Sequence, residues 1–250
     1  SAGLKDNPHL FKGVLTGVLR IARESLFTEL NNLSVHSILR PEFATHFGFT
    51  ESEVADQCRR LGSPDLMADL RKWYNGYHFG DQVLFNPWSV ICCLNSEKKE
   101  LLPYWANTGS NDLLRKQLFE MGRGFSGDLA ALLRDEPIHK PVDENLVLRS
   151  LDTTPDAVWS LLLFAGYLKP TEPTDGADLR NVSLKIPNLE VKRDLENLVK
   201  DYFSKLVGGE NNARSMLAAM LRGDEGELQS YLNRILNYNA SPYDADSATA

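Results

Sequence analysis

Four points along the chain carry a residue that caps helix N-termini together with a partner that fixes the helix start. Thr50 is followed three residues later by Glu53, a capping box, and Ser63, Asn86 and Thr154 are each followed at once by proline. A capping side chain accepts from backbone N–H groups that have no partner inside the helix. Proline in the next position needs no such N–H and already has the helical φ. A chain restarted this often is expected to be a series of short helices, and the apolar spacing agrees. Val54, Cys58 and Leu61 make one stripe ending at Gly62, and Leu66, Leu70 and Trp73 make a second ending at Asn75-Gly76.

The rest of the chain is also mostly helical in pattern. "SNDLLRKQLFEMG" reads as a helix stopped by Gly122, and "RGFSGDLAALLRDEPIHKPVDE" as a loop with one short helix. "TPDAVWSLLLFAG" reads as a helix capped by Thr154. "NLEVKRDLENLVKDYFSKLV" is a long helix with Leu195, Leu198, Val199, Tyr202 and Leu206 on one face, and two more helices follow near 211–222 and 225–238. Strand signals are few. "FKGVLTGVLR" is an apolar run that suits a strand buried on both faces, "SVHSIL" is a second short candidate, and "YLKP" and "NVSLKI" flank the polar "TEPTDGADLR" as hairpin arms would. The last ten residues, "SPYDADSATA", are small and polar.

Composition narrows the function classes. The longest apolar run, "WSLLLFAGYL", is too short for a membrane span, and the first residues lack the basic-then-apolar order of a secretory signal. The formal net charge of −7 argues against nucleic acid as the main partner. Three cysteines, two of them adjacent, form neither a disulfide framework nor a metal-ligand spacing, so a cytoplasmic location is expected. The five histidines are scattered, and no metal site is indicated.

The blocks "LTGVLRIARESLFTELNNL", "FGFTESEV", "WYNGYHFG", "NPWSV", "YWANTGSNDLL", "LLLFAGYLK" and "IPNLEVK" occur in that order over roughly residues 4–240. In order and spacing they resemble the AAA-ATPase-like family, P-loop ATPases of the STAND type usually fused to a C-terminal PD-(D/E)XK nuclease domain. The resemblance implies a mainly α chain with a small α/β remnant. Residues 1–50 would belong to the ATPase core, 51–139 to a helical lid, 140–207 to a winged-helix-like unit and 208–250 to a helical linker. No G-x-x-x-x-G-K-[ST] motif occurs. ATP and magnesium are therefore implied for a parent protein, with no cofactor expected for this chain alone. The expected partners are the ATPase core and nuclease domain of the same protein, with self-association through residues 12–19 as a further possibility. DNA would be met only through the nuclease domain.

The resemblance places Thr16 at the end of a core strand, as a sensor of the γ-phosphate, with Arg20 one turn on. It places Tyr77 and Pro87 near the adenine. The residues themselves leave this open: a strand end and a helix start explain Thr16 and Arg20 equally. The aromatic stretch Trp73, Tyr74, Tyr77, Phe79, Phe85 and Trp88 is also what core or inter-domain packing requires. Asp178 with Glu190-Val191-Lys192 imitates the acid and E-x-K of a metal-dependent nuclease, but Pro187-Asn188 interrupts the strand such chemistry needs. A winged-helix module binding protein or DNA is the other alternative. From Asp143 to Leu206 there are eleven acids against eight Lys/Arg, a balance that favours a protein partner over phosphate backbone.

Overall fold

The computed structural model describes residues 7–14, 16–17, 34–105, 122–146, 151, 154, 156–173, 178–206 and 208–239. It divides into two units, Ser1–Asp194 and Leu195–Ala250. In the first unit, Thr50 opens helix α1 (Glu51–Arg60). Its hydroxyl accepts from Glu53 N at 3.4 Å while Glu53 Oε2 accepts from Thr50 N at 2.8 Å, so the capping box closes. Helix α3 (Pro87–Asn95) also starts as expected. Asn86 Oδ1 accepts from Trp88 N at 3.0 Å and from Ser89 N at 3.3 Å.

Between them, Pro64–Leu66 form a 3-10 turn that leads into α2 (Met67–Tyr74). Ser63 does not cap with its side chain; its carbonyl accepts from Leu66 N at 3.2 Å, and the tighter turn replaces the expected cap. The three helices bury Val54, Cys58, Leu70, Trp73, Tyr74, Phe85, Val90, Cys93 and Leu94 in one cluster. Each large apolar side chain so buried stabilises the fold by about 1.5–3 kcal/mol.

A hairpin joins α2 to α3: β1 (Tyr77–Phe79) pairs antiparallel with β2 (Gln82–Leu84), with Tyr77 opposite Leu84. The sequence reading passes over it, treating Asn75-Gly76 and Asn86-Pro87 only as a helix stop and a helix start. Further on come α4 (Gly122–Leu133), β3 (Ile138–Lys140), α5 (Ala157–Phe164), β4 (Lys169–Pro170), β5 (Val182–Lys185) and α6 (Leu189–Leu206). The expected hairpin arms do pair, Lys169 with Lys185 and Pro170 with Leu184. A third strand, β3, joins the other edge of β5, where a loop was expected.

Two helix signals shift. Gly122 is itself helical rather than a stop, and residues 106–121 lie outside the described residues. Helix α5 begins at Ala157, whose N–H donates to Thr154 O at 3.0 Å, and its N-cap is Asp156 without a side-chain bond. Ala157 to Leu163 are all buried, as in a helix enclosed on every side.

In the second unit, α7 (Glu210–Arg222) and α8 (Glu225–Asn239) meet expectation. Gly223 takes the left-handed conformation between them and Asp224 Oδ1 accepts from Glu227 N at 3.0 Å. Met216 and Tyr231 are buried with Ala213 and Leu228 packed against them.

The chain is thus mainly α with a small strand content, and among the described residues the strands begin at Tyr77. Residues 12–14, 16 and 17 carry no strand and are exposed. Among the described residues no strand lies beside them, and a strand without a ladder partner gives its N–H and C=O groups to water instead. Thr16 is therefore not at a strand end, and Arg20 lies outside the described residues. "SVHSIL" is likewise not a strand: residues 34–37 are irregular and Ile38-Leu39 form a turn. Among the described residues no helix is long and apolar enough to cross a membrane.

One close approach fixes the β1 hairpin in place. Gly76, with φ +106°, lies so near Pro187 that a Cβ would stand 2.3 Å from its carbonyl oxygen. Gly62 has φ +66° but open space around it. Gly76→Ala should lower stability by at least about 2 kcal/mol through strain and displacement together, and Gly62→Ala by roughly 1 kcal/mol through φ alone. Urea denaturation measures both, and equal losses would mean that Gly76 and Pro187 are not in contact.

Candidate functional site

Ser89 falls in the first turn of α3, held there by Asn86, and its side chain is fully buried. Glu190 falls in the first turn of α6, positioned by Asn188, whose Oδ1 accepts from Val191 N at 3.1 Å. Glu190 is also fully buried, at 0% exposure. The two meet: Ser89 Oγ lies 2.8 and 2.9 Å from the two carboxyl oxygens, and Trp105 N donates to Oε1 at 2.8 Å. Trp105 is itself placed by Tyr74. The Tyr74 hydroxyl donates to Leu102 O at 2.9 Å and accepts from Leu102 N at 3.0 Å, which ties the 101–105 segment to α2.

One turn along α6, the nearly buried Asp194 accepts from the Tyr167 hydroxyl at 2.9 Å, and the Trp105 and Tyr167 rings lie 4.9 Å apart. Burial pushes the Glu190 carboxyl up to about 7, the hydrogen bonds from Trp105 and Ser89 oppose this, and the charge of Asp194 adds to it. A protonated Glu190 can donate one oxygen's proton to Ser89 Oγ while the other oxygen accepts from it, so the pair suits a neutral acid as well as an anion. The hydrogen bonds that hold this carboxyl are made within the protein, which suits it to holding α3 and α6 together. It has the ordinary requirements of a buried acid, that its polar atoms be bonded.

The residues expected at a nucleotide site fall as follows. Tyr77 lies with its ring edge against Gly166, 3.3 Å from where a Cβ would stand. Its hydroxyl is buried, faces the Asn188 and Asn86 side chains, and closes no hydrogen bond with a described residue. Pro87 is half-buried next to Asn86, so Tyr77 and Pro87 do come to one place. Thr16 is exposed in irregular chain and Arg20 is outside the described residues.

The nuclease-like residues do not share a set of partners. Asp178 pairs with Arg180 at 2.8 Å in an exposed turn, Lys192 with Asp135 at 2.6 Å, and Glu190 with Ser89. The E-x-K triplet is helical rather than part of a strand. Among the described residues no group of three His, Cys, Asp or Glu side chains could hold a metal. Ser89, Trp105, Tyr167 and Asp194 were not singled out in the sequence. A signal was there for the acids, because Glu190 and Asp194 stand two turns and one turn before the buried Leu198, on an apolar helix face.

The pH dependence of stability follows from Glu190. Its folded-state value of about 7 lies above its ordinary value of 4.5, so the folded chain binds the extra proton. The stabilisation is fully present below pH 4.5 and is lost as pH rises through about 7. Glu190→Gln, which keeps an acceptor for Ser89 and Trp105, should flatten this dependence in urea titrations between acid and alkaline buffer. Glu190→Ala should cost about 2–4 kcal/mol at acid pH by leaving both donors unpartnered in a cavity. A wild-type slope that survived in Glu190→Gln would remove Glu190 as its source.

No family model matches the sequence, and no solved structure matches it. Among curated proteins, the chain is similar to an uncharacterised protein in the vnfD 5′ region of Azotobacter chroococcum mcd 1. The two are 30% identical over 194 residues, 77% of this chain and 35% of that protein. The chain thus spans about a third of the length of the curated relative it matches.

Proposed function

We propose that this chain is the lid and winged-helix-like portion of an AAA-ATPase-like protein, coupling ATP state in a core to an effector domain of the nuclease type. The observation that supports this most is the buried Ser89–Glu190 bond. It joins the Asn86-Pro87 helix start, which the resemblance puts beside the adenine, to α6, the helix whose residues run from the first unit into the second. A displacement at the nucleotide would pull on α6 through a bond that cannot stretch without stranding a buried carboxyl. The β3-β5-β4 sheet with α5 and α6 supports reading residues 140–207 as a winged-helix-like unit. Its connecting loop carries Glu172 and Asp178 against Arg180, a balance that suits a protein partner.

ATP titrations test the reading. This chain by itself should neither hydrolyse ATP nor bind it tightly, since no phosphate cradle or magnesium-holding acid is read in it. Joined to the P-loop-bearing core, it should bind, and Tyr77→Ala should weaken binding about tenfold or more, the worth of one base–aromatic stack. Tight binding or turnover by this chain alone, or indifference of the joined protein to Tyr77→Ala, would contradict the reading.

A further inference from the structure

Lys169 of β4 and Lys185 of β5 stand directly opposite each other in an antiparallel pair, where like charges destabilise a sheet. The β1 strand packs against β4, bringing His78 to the same place. The side chains of both lysines and of His78 make no ion pair or hydrogen bond with a described residue, beyond the backbone ladders of their strands. Lys169 is half-buried. Burial lowers its ammonium below the ordinary lysine value and the charge of Lys185 lowers it further; His78 is lowered by burial and then by Lys169. No carboxylate offsets either effect, although acids outnumber bases by seven in the chain as a whole.

The surroundings include buried polar atoms without partners among the described residues. Lys169 Nζ lies 3.5 Å from where a Gly76 Cβ would stand, beside the Pro187 carbonyl. Around that contact three buried polar atoms, the acceptor Asn75 Oδ1, the Tyr77 hydroxyl and Asn188 Nδ2, make no hydrogen bond with a described residue, and the Tyr77 hydroxyl faces the Asn188 and Asn86 side chains. Two ammonium groups and an imidazole, with no counter-ion among the described residues, leave one charge unfilled: that of an anion with several acceptor oxygens.

We infer that Lys169, Lys185 and His78 form a binding site for a phosphate group. Two ammonium groups and an imidazole supply charge-assisted bonds to a tetrahedral oxyanion, and the anion removes the cross-strand repulsion. The site stands on the β4–β5 register and the β1 contact, independently of any nucleotide at Tyr77.

The probe is inorganic phosphate, titrated against chloride at fixed ionic strength. Phosphate should raise the melting temperature and raise the pKa of the His78 imidazole followed by NMR. Lys169→Met and Lys185→Gln should each weaken phosphate binding by about tenfold or more. Without phosphate, Lys169→Met should melt no lower than the wild type, because it removes a repulsion; a merely structural lysine would give a loss. If one variant fails to fold, the other decides.

Tripolyphosphate and ATP separate the sources of the phosphate. Equal affinities assign a free or small-molecule phosphate, which retains the site; tighter ATP binding assigns a nucleotide, which retains the site and, if tight in this chain alone, contradicts the function proposed above. A wild type that responds to phosphate as it does to chloride, or a response that survives both substitutions, overturns the inference. So does duplex DNA binding that depends on both lysines in the absence of any phosphate response.

Discussion

A carboxyl group taken wholly out of water must be bonded on every side or it unfolds its surroundings. Glu190 meets that requirement with Ser89 and the Trp105 N–H, and these come from α3 and from the segment that Tyr74 pins to α2. Three stretches far apart in sequence are thereby fixed to one helix start. The tilted contact of the Trp105 and Tyr167 rings, and the bond from Tyr167 to Asp194, repeat the tie one turn further along α6. Apolar contacts alone would allow these helices to slide; a bonded buried acid sets one register.

The same junction concentrates groups under tension. Gly76 touches Pro187; Asn75, Tyr77 and Asn188 hold buried polar atoms without a partner among the described residues; and Lys169 faces Lys185 across the sheet. A region assembled only for packing has no need of any of these.

How much of this could be read from the sequence depends on range. The capping box at Thr50, the Asn86 cap, the α7–α8 turn and the β4–β5 arms are local patterns, and each is present in the structure. The Ser63 cap failed because a 3-10 turn satisfied the same N–H groups with backbone. The β1–β2 hairpin is only three residues a side, too short for a period-2 pattern, although Gly80-Asp81 is a known two-residue turn. The β3 strand is equally short. Of the candidate site, Tyr77 and Pro87 were reached through the resemblance. Ser89 and Glu190 are 101 residues apart, and nothing local marks them as partners. The apolar run at residues 12–19 carried a strand signal, but a strand also needs a neighbour, which no local pattern supplies.

The central claim is that Ser89 and Glu190 act as one unit, and a double-mutant cycle measures that most directly. Ser89→Ala, Glu190→Ala and the double variant would be compared by urea denaturation at a single neutral pH. A coupling energy of about 1–3 kcal/mol is expected for groups that share a buried bond. Losses that add to within about 0.5 kcal/mol would show that the two side chains do not hold the helices together, and the account of this junction would fall.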